Sequence, residues 1–366
     1  MKLCPGRIRI WLTLNDIKPI DTSQMKSKLN NDILYSDIEI EKFISLNDFG
    51  NASKALLEQQ KKNWPQLAEG YDSLKLIKVK EFLFDGFTIR VQFNPGRIIS
   101  TSAKVDDASI KERQCFLCKQ NLPSDQKGIL YRDNIIILCN PFPIFPEHFT
   151  LAHIDHSPQQ IKNSIDTLLS LSKDLSSQYS VFYNGPKCGA SAPDHLHFQA
   201  GNKYFMPVDK EYNYLKEKFG KKVYSTDDIS IFGVDDLLRR FISFESKDKN
   251  IIIKYFEIFY SVYEAISGGA EEPKMNISSF YDNDTGWRVV VFLREKHRPS
   301  HFFASDEYKI LLSPAAVDIG GVCITPLEKD FDRISKNILT EIFNEVSFDK
   351  DKFGYLIKVL KEKFKN

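Results

Sequence analysis

The chain lacks a surplus of charge of either sign. Its 50 lysine and arginine residues face 49 aspartate and glutamate residues, so the formal net charge is only +1. A protein that binds nucleic acid through its phosphates usually carries a marked excess of basic residues. The balance argues against a dedicated nucleic-acid binder, including a zinc-ribbon module, while a local basic cluster could still bind a small anionic substrate.

Long apolar runs are also missing. No stretch approaches the roughly 20 apolar residues that a membrane-spanning helix needs. Residues 1–12 are broken by Arg9 and followed by no small-residue cleavage pattern, so we expect no signal peptide. The six cysteines show no spacing typical of a disulfide scaffold. These features predict a cytoplasmic protein whose thiols stay reduced and can bind metal.

The composition is that of a folded globular protein, with 42% hydrophobic and 27% charged residues. The 366 residues exceed what one hydrophobic core usually holds, so we expect two packed units or one large double-layered domain. We divide the chain into a partly helical extension (residues 1–74), a first half (75–205) and a second half (206–366). The second boundary is placed where charged residues become dense.

Alternating apolar residues predict strands along most of the chain. The clearest pair, residues 75–84 and 87–93, flanks an Asp85-Gly86 turn that is typical of an antiparallel hairpin. Further strands are predicted at residues 129–131, 135–139, 149–153, 181–183, 195–200, 277–281 and 287–293. The pattern indicates an α+β fold whose sheet is largely antiparallel, with few helices.

Helix signals are sparser. One helical pattern runs from Ala52 and stops near Pro65, because proline cannot continue the backbone hydrogen-bond ladder. A second helix is predicted to start at Ser157 as N-cap, with Pro158 in the first helical position and Gln160 closing a capping box. Two more helices are predicted at residues 327–346 and 349–365.

The motif His-Leu-His-Phe-Gln at residues 195–199 carries most of the functional signal. Alternate side chains of a strand share a face, so His195, His197 and Gln199 line up while Leu196 and Phe198 point into the core. An imidazole held by an acceptor on one nitrogen can attack phosphorus with the other and form a phosphoramidate. The alternative is that both histidines are hydrogen-bonded structural residues.

The loop before the motif favours phosphate chemistry. Its glycines and other small residues leave backbone N–H groups free to surround phosphate oxygens, and it adds an ammonium and a hydroxyl as donors. The candidate phosphate-binding residues of this loop are Asn184, Gly185, Lys187, Gly189, Ala190 and Ser191.

Basic residues outside the loop are weaker candidates. Arg97 and Lys104 could contact phosphate at the mouth of the site, and the alternative is that they are solvated loop charges. His297 and His301 lie in a basic segment, which we interpret as a flexible loop away from the site.

Cys115 and Cys118 have the spacing with which two thiolates bind one Zn²⁺ from a tight turn. A closed structural zinc site needs about four ligands. The histidines within reach by sequence are His148, His153, His156 and His195. We choose His156, just ahead of the predicted helix, and His195, at the start of the motif. The alternative is that both cysteines are buried thiols in a hydrophobic turn.

The segment from Asn184 through Ser191 to the motif resembles the signature of the transferase branch of the histidine-triad superfamily. That branch includes galactose-1-phosphate uridylyltransferase, diadenosine tetraphosphate phosphorylase and the GDP-hexose phosphorylases. The resemblance implies that His197 is the nucleophile and that Gln199 orients the nucleotidyl phosphate. Hydrolases of the superfamily carry a third histidine at that position, so transfer or phosphorolysis is favoured. The implied fold is α+β, with two histidine-triad-like halves built on antiparallel sheets with flanking helices.

Different relatives resemble different segments. Two segments are most similar to the GDP-hexose phosphorylases: the sequence His-Leu-His-Phe-Gln-Ala at residues 195–200 and residues 313–321. The set of Cys115, Cys118, His156 and His195 resembles the zinc ligands of the uridylyltransferase. Leu196 replaces the proline of the uridylyltransferase pattern, which disfavours a galactose 1-phosphate substrate.

The resemblance implies a phosphorylase that converts an NDP-hexose, in the first place a GDP-hexose, and inorganic phosphate into a hexose 1-phosphate and NDP. The nearest alternative is a diadenosine tetraphosphate phosphorylase or ATP adenylyltransferase. An alternative of another class is a zinc-stabilised nucleotide-binding protein without catalysis. We expect a structural Zn²⁺, a sugar nucleotide or dinucleoside polyphosphate as substrate, and no nucleic-acid or membrane partner. The assembly state is left open, with a homodimer as one candidate.

Overall fold

The architecture is centred on one ten-stranded antiparallel sheet. The computed structural model describes residues 33–35, 37–102, 106–269 and 271–365, so the interpretations of residues 1–32 and of Lys104 lie outside the described residues. The strands of the sheet are β3 (Gly128–Tyr131), β4 (Ile135–Cys139), β5 (His148–His153), β6 (Tyr179–Asn184), β7 (His197–Asn202), β8 (Gly220–Ser225), β9 (Ser230–Asp235), β10 (Arg240–Ser246), β11 (Met275–Asp282) and β12 (Gly286–Leu293). Their order in the sheet is β3-β4-β5-β7-β6-β11-β12-β10-β9-β8. The predicted α+β class with a large antiparallel sheet is confirmed.

The strand order repeats itself. From its outer edge inward, the first half runs β3-β4-β5-β7-β6 and the second half runs β8-β9-β10-β12-β11, so the two halves have the same topology. Along the chain, each half also has a helix between its third and fourth strands. This helix is Ile165–Asp174, between β5 and β6, in the first half and Lys249–Ile266, between β10 and β11, in the second. The halves meet where β6 pairs with β11, with Asn184 opposite Asn276. The proposed division at residue 205 stays a prediction.

The predicted Asp85-Gly86 hairpin is present but belongs to a separate small sheet. Its strands are β1 (Lys78–Leu83) and β2 (Thr88–Phe93), and β13 (Val322–Thr325) pairs with β2 in parallel. The strand predicted from residue 195 begins only at His197. His195 and Leu196 therefore precede the strand, and His195 does not share the cavity face with His197 and Gln199.

Helices are more numerous than the sequence predicted, so the expectation of few helices is wrong. The α-helices are Ile38–Ser45, Phe49–Asn63, Pro65–Ser73, Ile98–Thr101, Asp107–Glu112, Ile165–Asp174, Pro207–Phe219, Lys249–Ile266, Ser300–Phe303, Ala316–Ile319, Glu328–Arg333, Lys336–Val346 and Lys350–Lys363. Short 3₁₀ turns occur at Leu74–Leu76, Pro95–Arg97, Lys119–Asn121 and Asp306–Tyr308. The predicted helix 327–346 is interrupted where Ser335 caps a new helix. No described helix is both long and apolar enough to span a bilayer.

The predicted helix after residue 157 is present, but its predicted start at Ser157 is wrong, because the helix begins at Ile165. The intervening segment is tied to the motif by the side chain of Gln159. Its Oε1 atom accepts the backbone N–H of His197 at 2.8 Å, and its Nε2 atom donates to the carbonyl oxygens of Asn184 and His197 at 2.9 Å each. These tertiary bonds replace the capping pattern that the local sequence suggested, and they join the ends of β6 and β7.

The large sheet has an apolar core on each face. Leu151, Phe198 and Ile277 pack in one core with the helices Ile165–Asp174 and Lys249–Ile266. Phe182 and Phe292 pack in the other with residues of the small sheet and of the C-terminal helices. Because side chains alternate along β7, the face opposite Phe198 carries His197 and Gln199.

Candidate active site

A cavity of about 600 Å³ lies beside β7. Most of its wall is apolar. It comes from the segments around residues 116–123 and 138–142 and from Trp64, which lies between the helices Phe49–Asn63 and Pro65–Ser73. The apolar side chains of this wall include Trp64, Phe116, Leu117, Leu122 and Phe142. The polar lining includes His197, Gln199 and Ser191, together with Arg97 and Arg113. We call this space the motif cavity, and its size and character suit a flat aromatic group next to a polar end.

His197 is held in one tautomer. Its Nδ1 atom lies 2.8 Å from the carbonyl oxygen of His195, so Nδ1 carries the proton and donates it. No residue of the described part of the chain hydrogen-bonds Nε2, whose lone pair is then available in the motif cavity. Burial lowers the pKa of His197 to about 4, so the ring is neutral at physiological pH. A neutral imidazole with a free Nε2 lone pair is the form that can act as a nucleophile.

The amide of Gln199 is also held in one orientation, by His148 of β5. The Nδ1 atom of His148 accepts the backbone N–H of Ile144 at 3.2 Å, which leaves the ring proton on Nε2. That Nε2 atom lies 2.9 Å from Oε1 of Gln199 and donates to it. Burial, and next the charge of Arg97, lower the pKa of His148 to about 3, which keeps the ring neutral. With its oxygen engaged, Gln199 presents its NH₂ group as a donor.

The glycine loop lies against the C-terminal part of the chain. Gly189 has a φ of +92°, and a Cβ atom there would come within 2.5 Å of the Cβ atom of Ala315. In the described residues the backbone N–H groups of Gly189, Ala190 and Ser191 bond no protein acceptor. Backbone N–H groups without protein partners can serve as donors to an oxyanion.

Other residues of the loop have different surroundings. The Oδ1 atom of Asn184 accepts from Nδ2 of Asn276 at 2.9 Å and from the backbone N–H of Ala316 at 2.8 Å. Its side chain therefore joins the two halves of the sheet. Gly185 donates its N–H to the carbonyl oxygen of Met275 and does not line the motif cavity. Lys187 is half-exposed, and its ammonium group binds Glu271 at 2.7 Å instead of lining a cavity.

Four potential metal ligands converge next to the motif, as the sequence suggested. The ligand atoms of Cys115, Cys118, His156 and His195 all lie within 4.8 Å of one another. The Sγ atom of Cys115 is 3.3 Å from Nδ1 of His195, and that of Cys118 is 3.1 Å from Nδ1 of His156. Bonds of 2.0–2.3 Å in a tetrahedral zinc site imply ligand separations of roughly 3.3–3.8 Å. The set therefore fits a Cys₂His₂ metal site.

The surroundings of the cluster fit a metal as well. His195 places its Nε2 atom 2.7 Å from the carbonyl oxygen of His153, and His156 places its Nε2 atom 3.6 Å from a carboxylate oxygen of Asp194. Metal-bound histidines commonly donate their second ring nitrogen to a carbonyl or carboxylate group. Asp194 also pairs with Arg113 at 2.8 Å, and Arg113 donates to the carbonyl oxygen of Ser191. The cluster is thus connected to both the motif and the glycine loop.

Comparison with known families separates two parts of the chain. Residues 56–202 match the family described as a domain of unknown function (DUF4922). Residues 276–366 match the family described as the GDPGP1-like, C-terminal domain. No curated protein sequence matches the chain significantly.

Solved structures are similar to this chain at low sequence identity. The yeast Ap4A phosphorylase Apa2 in complex with AMP has a TM-score of 0.52 at 14% identity, over 80% of this chain and 96% of that chain. The same enzyme in complex with Ap4A gives 0.49 at 13% identity, over 78% and 96%. A DUF4931 family protein from Bacillus cereus gives 0.39 at 14%, over 66% and 100%. The match at residues 276–366 agrees with the resemblance noted in the sequence, and the likeness to the AMP complex shows a common fold.

The GDPGP1-like domain forms one wall of a second, polar cavity beside the motif cavity. Its residues His297, Arg298, Ser313 and Asp318 line this polar cavity. Arg97 of the first half lines both cavities, as do Ser191 and Gln199. The two cavities therefore adjoin at the motif.

The expectation that His297 lies away from the site is wrong. The guanidinium group of Arg294 donates to the carbonyl oxygens of Lys296 and His297 at 3.1 Å each and to that of Pro314 at 2.9 Å. A buried arginine thus fixes a segment that the sequence suggested to be a flexible loop. His301 lines neither cavity, and its ring lies 3.3 Å from Glu341.

Sequence reasoning missed three residues that support the site: His148, Gln159 and Asp318. Asp318 accepts the backbone N–H groups of Ala315 and Ile324 at 2.9 and 2.8 Å. By sequence His148 is a candidate metal ligand only, although it directly precedes the predicted strand at residues 149–153. Nothing in the local sequence distinguished Gln159 from other loop glutamines.

Proposed function

We propose that this protein is a nucleotide phosphorylase that carries a nucleotidyl group on Nε2 of His197. The observation that carries the proposal is the tautomer of His197: its Nδ1 proton is donated to His195 and its Nε2 atom is left free at a cavity. The NH₂ group of Gln199 and the N–H groups of Gly189, Ala190 and Ser191 would bind the oxygens of the same phosphoryl group. Such preorganised donors commonly contribute the largest part of transition-state stabilisation.

The transfer proceeds in two balanced displacements. The Nε2 lone pair attacks the α-phosphorus of the substrate, and the bond to the bridging oxygen breaks, with its electron pair leaving on the hexose 1-phosphate. An oxygen of inorganic phosphate then attacks the same phosphorus. The P–N bond breaks, its electron pair returns to Nε2, and the product is a nucleoside diphosphate. One difficult exchange is thus divided into two easier ones.

A GDP-hexose is the preferred substrate. This choice is supported by the match of residues 276–366 to the GDPGP1-like domain and by the amino-acid sequence of the motif at residues 195–200. A dinucleoside polyphosphate is the alternative, because the chain shares the fold of an Ap4A phosphorylase whose AMP complex is known. In that case His197 would carry an adenylyl group, as it also would in an ATP adenylyltransferase.

The two halves of the sheet are proposed to be histidine-triad-like units. Their common strand order and the helix at the same place in each half support a duplicated architecture. Only the first half carries the His-x-His-x-Gln motif, so the second half is proposed to supply the wall of the polar cavity.

The metal cluster is proposed to bind one structural Zn²⁺ through Cys115, Cys118, His156 and His195. A bound Zn²⁺ would supply no step of the transfer and would cross-link the cysteine turn to the motif. His195 would then be fixed on both sides, through its ring and through the carbonyl oxygen that holds His197.

A product assay tests the function. Purified protein is incubated with inorganic phosphate and a panel of sugar nucleotides, Ap4A and ATP, and nucleoside diphosphates and sugar phosphates are separated by chromatography. We expect phosphate-dependent GDP and hexose 1-phosphate from a GDP-hexose, and none from His197→Gln. The control His301→Gln, whose ring contacts Glu341 outside both cavities, should keep wild-type turnover. Tight nucleotide binding without any product would favour the non-catalytic alternative.

A further inference from the structure

The polar cavity is small and lies directly next to the motif. It measures about 70 Å³, compared with about 600 Å³ for the motif cavity, so it suits a phosphate-sized group and not a nucleoside. Ser191 and Gln199 line both spaces. A group bound in the polar cavity would therefore be adjacent to a phosphoryl group on His197.

Two guanidinium groups from different halves of the chain line this cavity. Arg298 donates from Nε to Oγ of Ser313 at 3.1 Å, and its guanidinium carbon lies 4.1 Å from the ring centre of Phe302. Arg97 donates to the carbonyl oxygen of Phe142 at 2.7 Å. Burial lowers the pKa of Arg97 to about 10, which still leaves it protonated at neutral pH. Both cations are held by their surroundings before any ligand arrives.

One carboxylate, that of Asp318, also lines the cavity. Each of its oxygens accepts a backbone N–H, from Ala315 or Ile324, so its charge is partly neutralised by the chain. His297 adds a polar ring, and burial together with the charge of Arg298 lowers its pKa to about 4. The fixed positive charge of the lining therefore exceeds the negative charge, as a site for a small dianion requires.

We propose that the polar cavity is the acceptor site for a phosphate or phosphate-monoester dianion, with Arg298 as its specificity-determining residue. The inference rests on the proposed function, because an acceptor is needed only if His197 carries a nucleotidyl group. It adds that the GDPGP1-like domain recognises the group that leaves in the first displacement and the phosphate that attacks in the second. Arginine suits this role because its planar fork binds two phosphate oxygens at once.

The test measures anion binding separately from turnover. The melting temperature of the protein is recorded against inorganic phosphate, and in a second arm against glucose 1-phosphate and mannose 1-phosphate, for wild type, Arg298→Gln and Lys296→Gln. Lys296 is the matched control, because its ammonium group binds Glu345 outside the cavity. We expect wild type and Lys296→Gln to respond alike, and the half-saturating phosphate concentration to rise at least tenfold in Arg298→Gln. An equal response of all three proteins overturns the proposal.

A separate discharge experiment uses isolated nucleotidyl-enzyme. Discharge by phosphate should slow about tenfold in Arg298→Gln at subsaturating phosphate, while discharge by water stays unchanged. If Arg298→Gln does not fold, Arg298→Lys takes its place, because lysine keeps the charge but not the planar fork. Arg298→Lys should give an intermediate loss of phosphate response in both the melting and the discharge experiments. A phosphate response of Arg298→Lys equal to that of wild type would overturn the proposal. A wild-type enzyme that is never labelled contradicts the proposed function alone, since the melting experiment still decides the cavity. A stronger response to the hexose phosphates than to phosphate identifies the monoester as the preferred source of the dianion.

Discussion

The Nε2 atom of His148 lies 2.9 Å from the Oε1 atom of Gln199, and this contact decides which end of the glutamine amide faces the motif cavity. The backbone N–H of Ile144 fixes the tautomer of His148, and His148 in turn fixes the amide. His148 is therefore a positioning residue that acts through Gln199. The strands that carry the two residues, β5 and β7, are neighbours in the sheet.

Replacing His148 should lower turnover more than it lowers affinity. In His148→Phe the amide of Gln199 can rotate, so we expect kcat to fall roughly 10- to 100-fold with KM little changed, since loss of a preorganised donor costs about 10²–10³ in rate. Steady-state kinetics measure this split. The double variant with Gln199→Ala should lose little more than Gln199→Ala alone, and additive losses would show that His148 acts independently of the amide.

The control for this variant is His153→Asn, a second histidine of the same strand. The side chain of His153 bonds only locally, to the backbone of Asp155, in the described structure. Wild-type kinetics are expected for it. A loss like that of His148→Phe would point to damage of the strand and not of the amide orientation.

The metal cluster predicts a zinc content near one ion per chain. Cys118→Ser should lose most of the metal and become less stable, because the Cys115–Cys118 turn, His156 and His195 would no longer be linked. Elemental analysis and thermal melting measure both effects. Cys323→Ser, which changes a buried thiol in a different core, should retain the metal, and a wild-type protein without metal would remove this part of the account.

Any side chain at position 189 is predicted to lower both stability and activity for a steric reason. Alanine there would be strained at a φ of +92° and would press on Ala315, so we expect a stability loss of about 1–3 kcal/mol and at least a tenfold loss of activity. Gly268 is a matched control, because its φ is +97° and a Cβ atom there meets nothing within 4 Å. Gly268→Ala should lose some stability and keep activity. Equal activity of both variants would show that the contact between the loop and Ala315 is unimportant.

How far the sequence could predict this site depends on how local each feature is. The Asp85-Gly86 hairpin and the alternation of His197, Phe198 and Gln199 were correct, because each depends on neighbours a few residues away. The four converging cluster residues were also chosen correctly, with help from the resemblance. The pairing of His148 with Gln199 was not predictable, because it requires knowing that β5 lies next to β7. Neither was the position of His297, because the side chain of Arg294 that fixes it is itself held by the distant carbonyl oxygens of Pro314 and Val346.

The false helix start at Ser157 has the same origin. Ser157, Pro158 and Gln160 satisfy a local capping pattern, yet the backbone there follows the side chain of Gln159 to the motif strand. Three tertiary hydrogen bonds outweigh a capping preference of about 1 kcal/mol.

Asp209 gives a pH-dependent prediction for stability. Burial raises its pKa to about 6, above the value of about 3.9 expected for an unfolded chain. The folded state therefore binds the proton more tightly, and the stability gained is present below pH 4 and is lost as the pH rises through 6. When the pH rises from 4.5 to 7.5, the free energy of unfolding of wild type should fall by about 2 kcal/mol relative to that of Asp209→Asn. Urea unfolding at the two pH values measures the difference, and a constant difference would contradict the assignment.

The central claim is a covalent bond between phosphorus and Nε2 of His197. Wild-type protein is incubated with a GDP-hexose in the absence of phosphate, digested at alkaline pH and analysed by tandem mass spectrometry. We expect a guanylyl group on the peptide that contains residues 195–199, fragment ions that assign it to His197, and its loss when phosphate is added. A guanylyl group on any other residue, or GDP formation by His197→Gln at the wild-type rate, would contradict the claim.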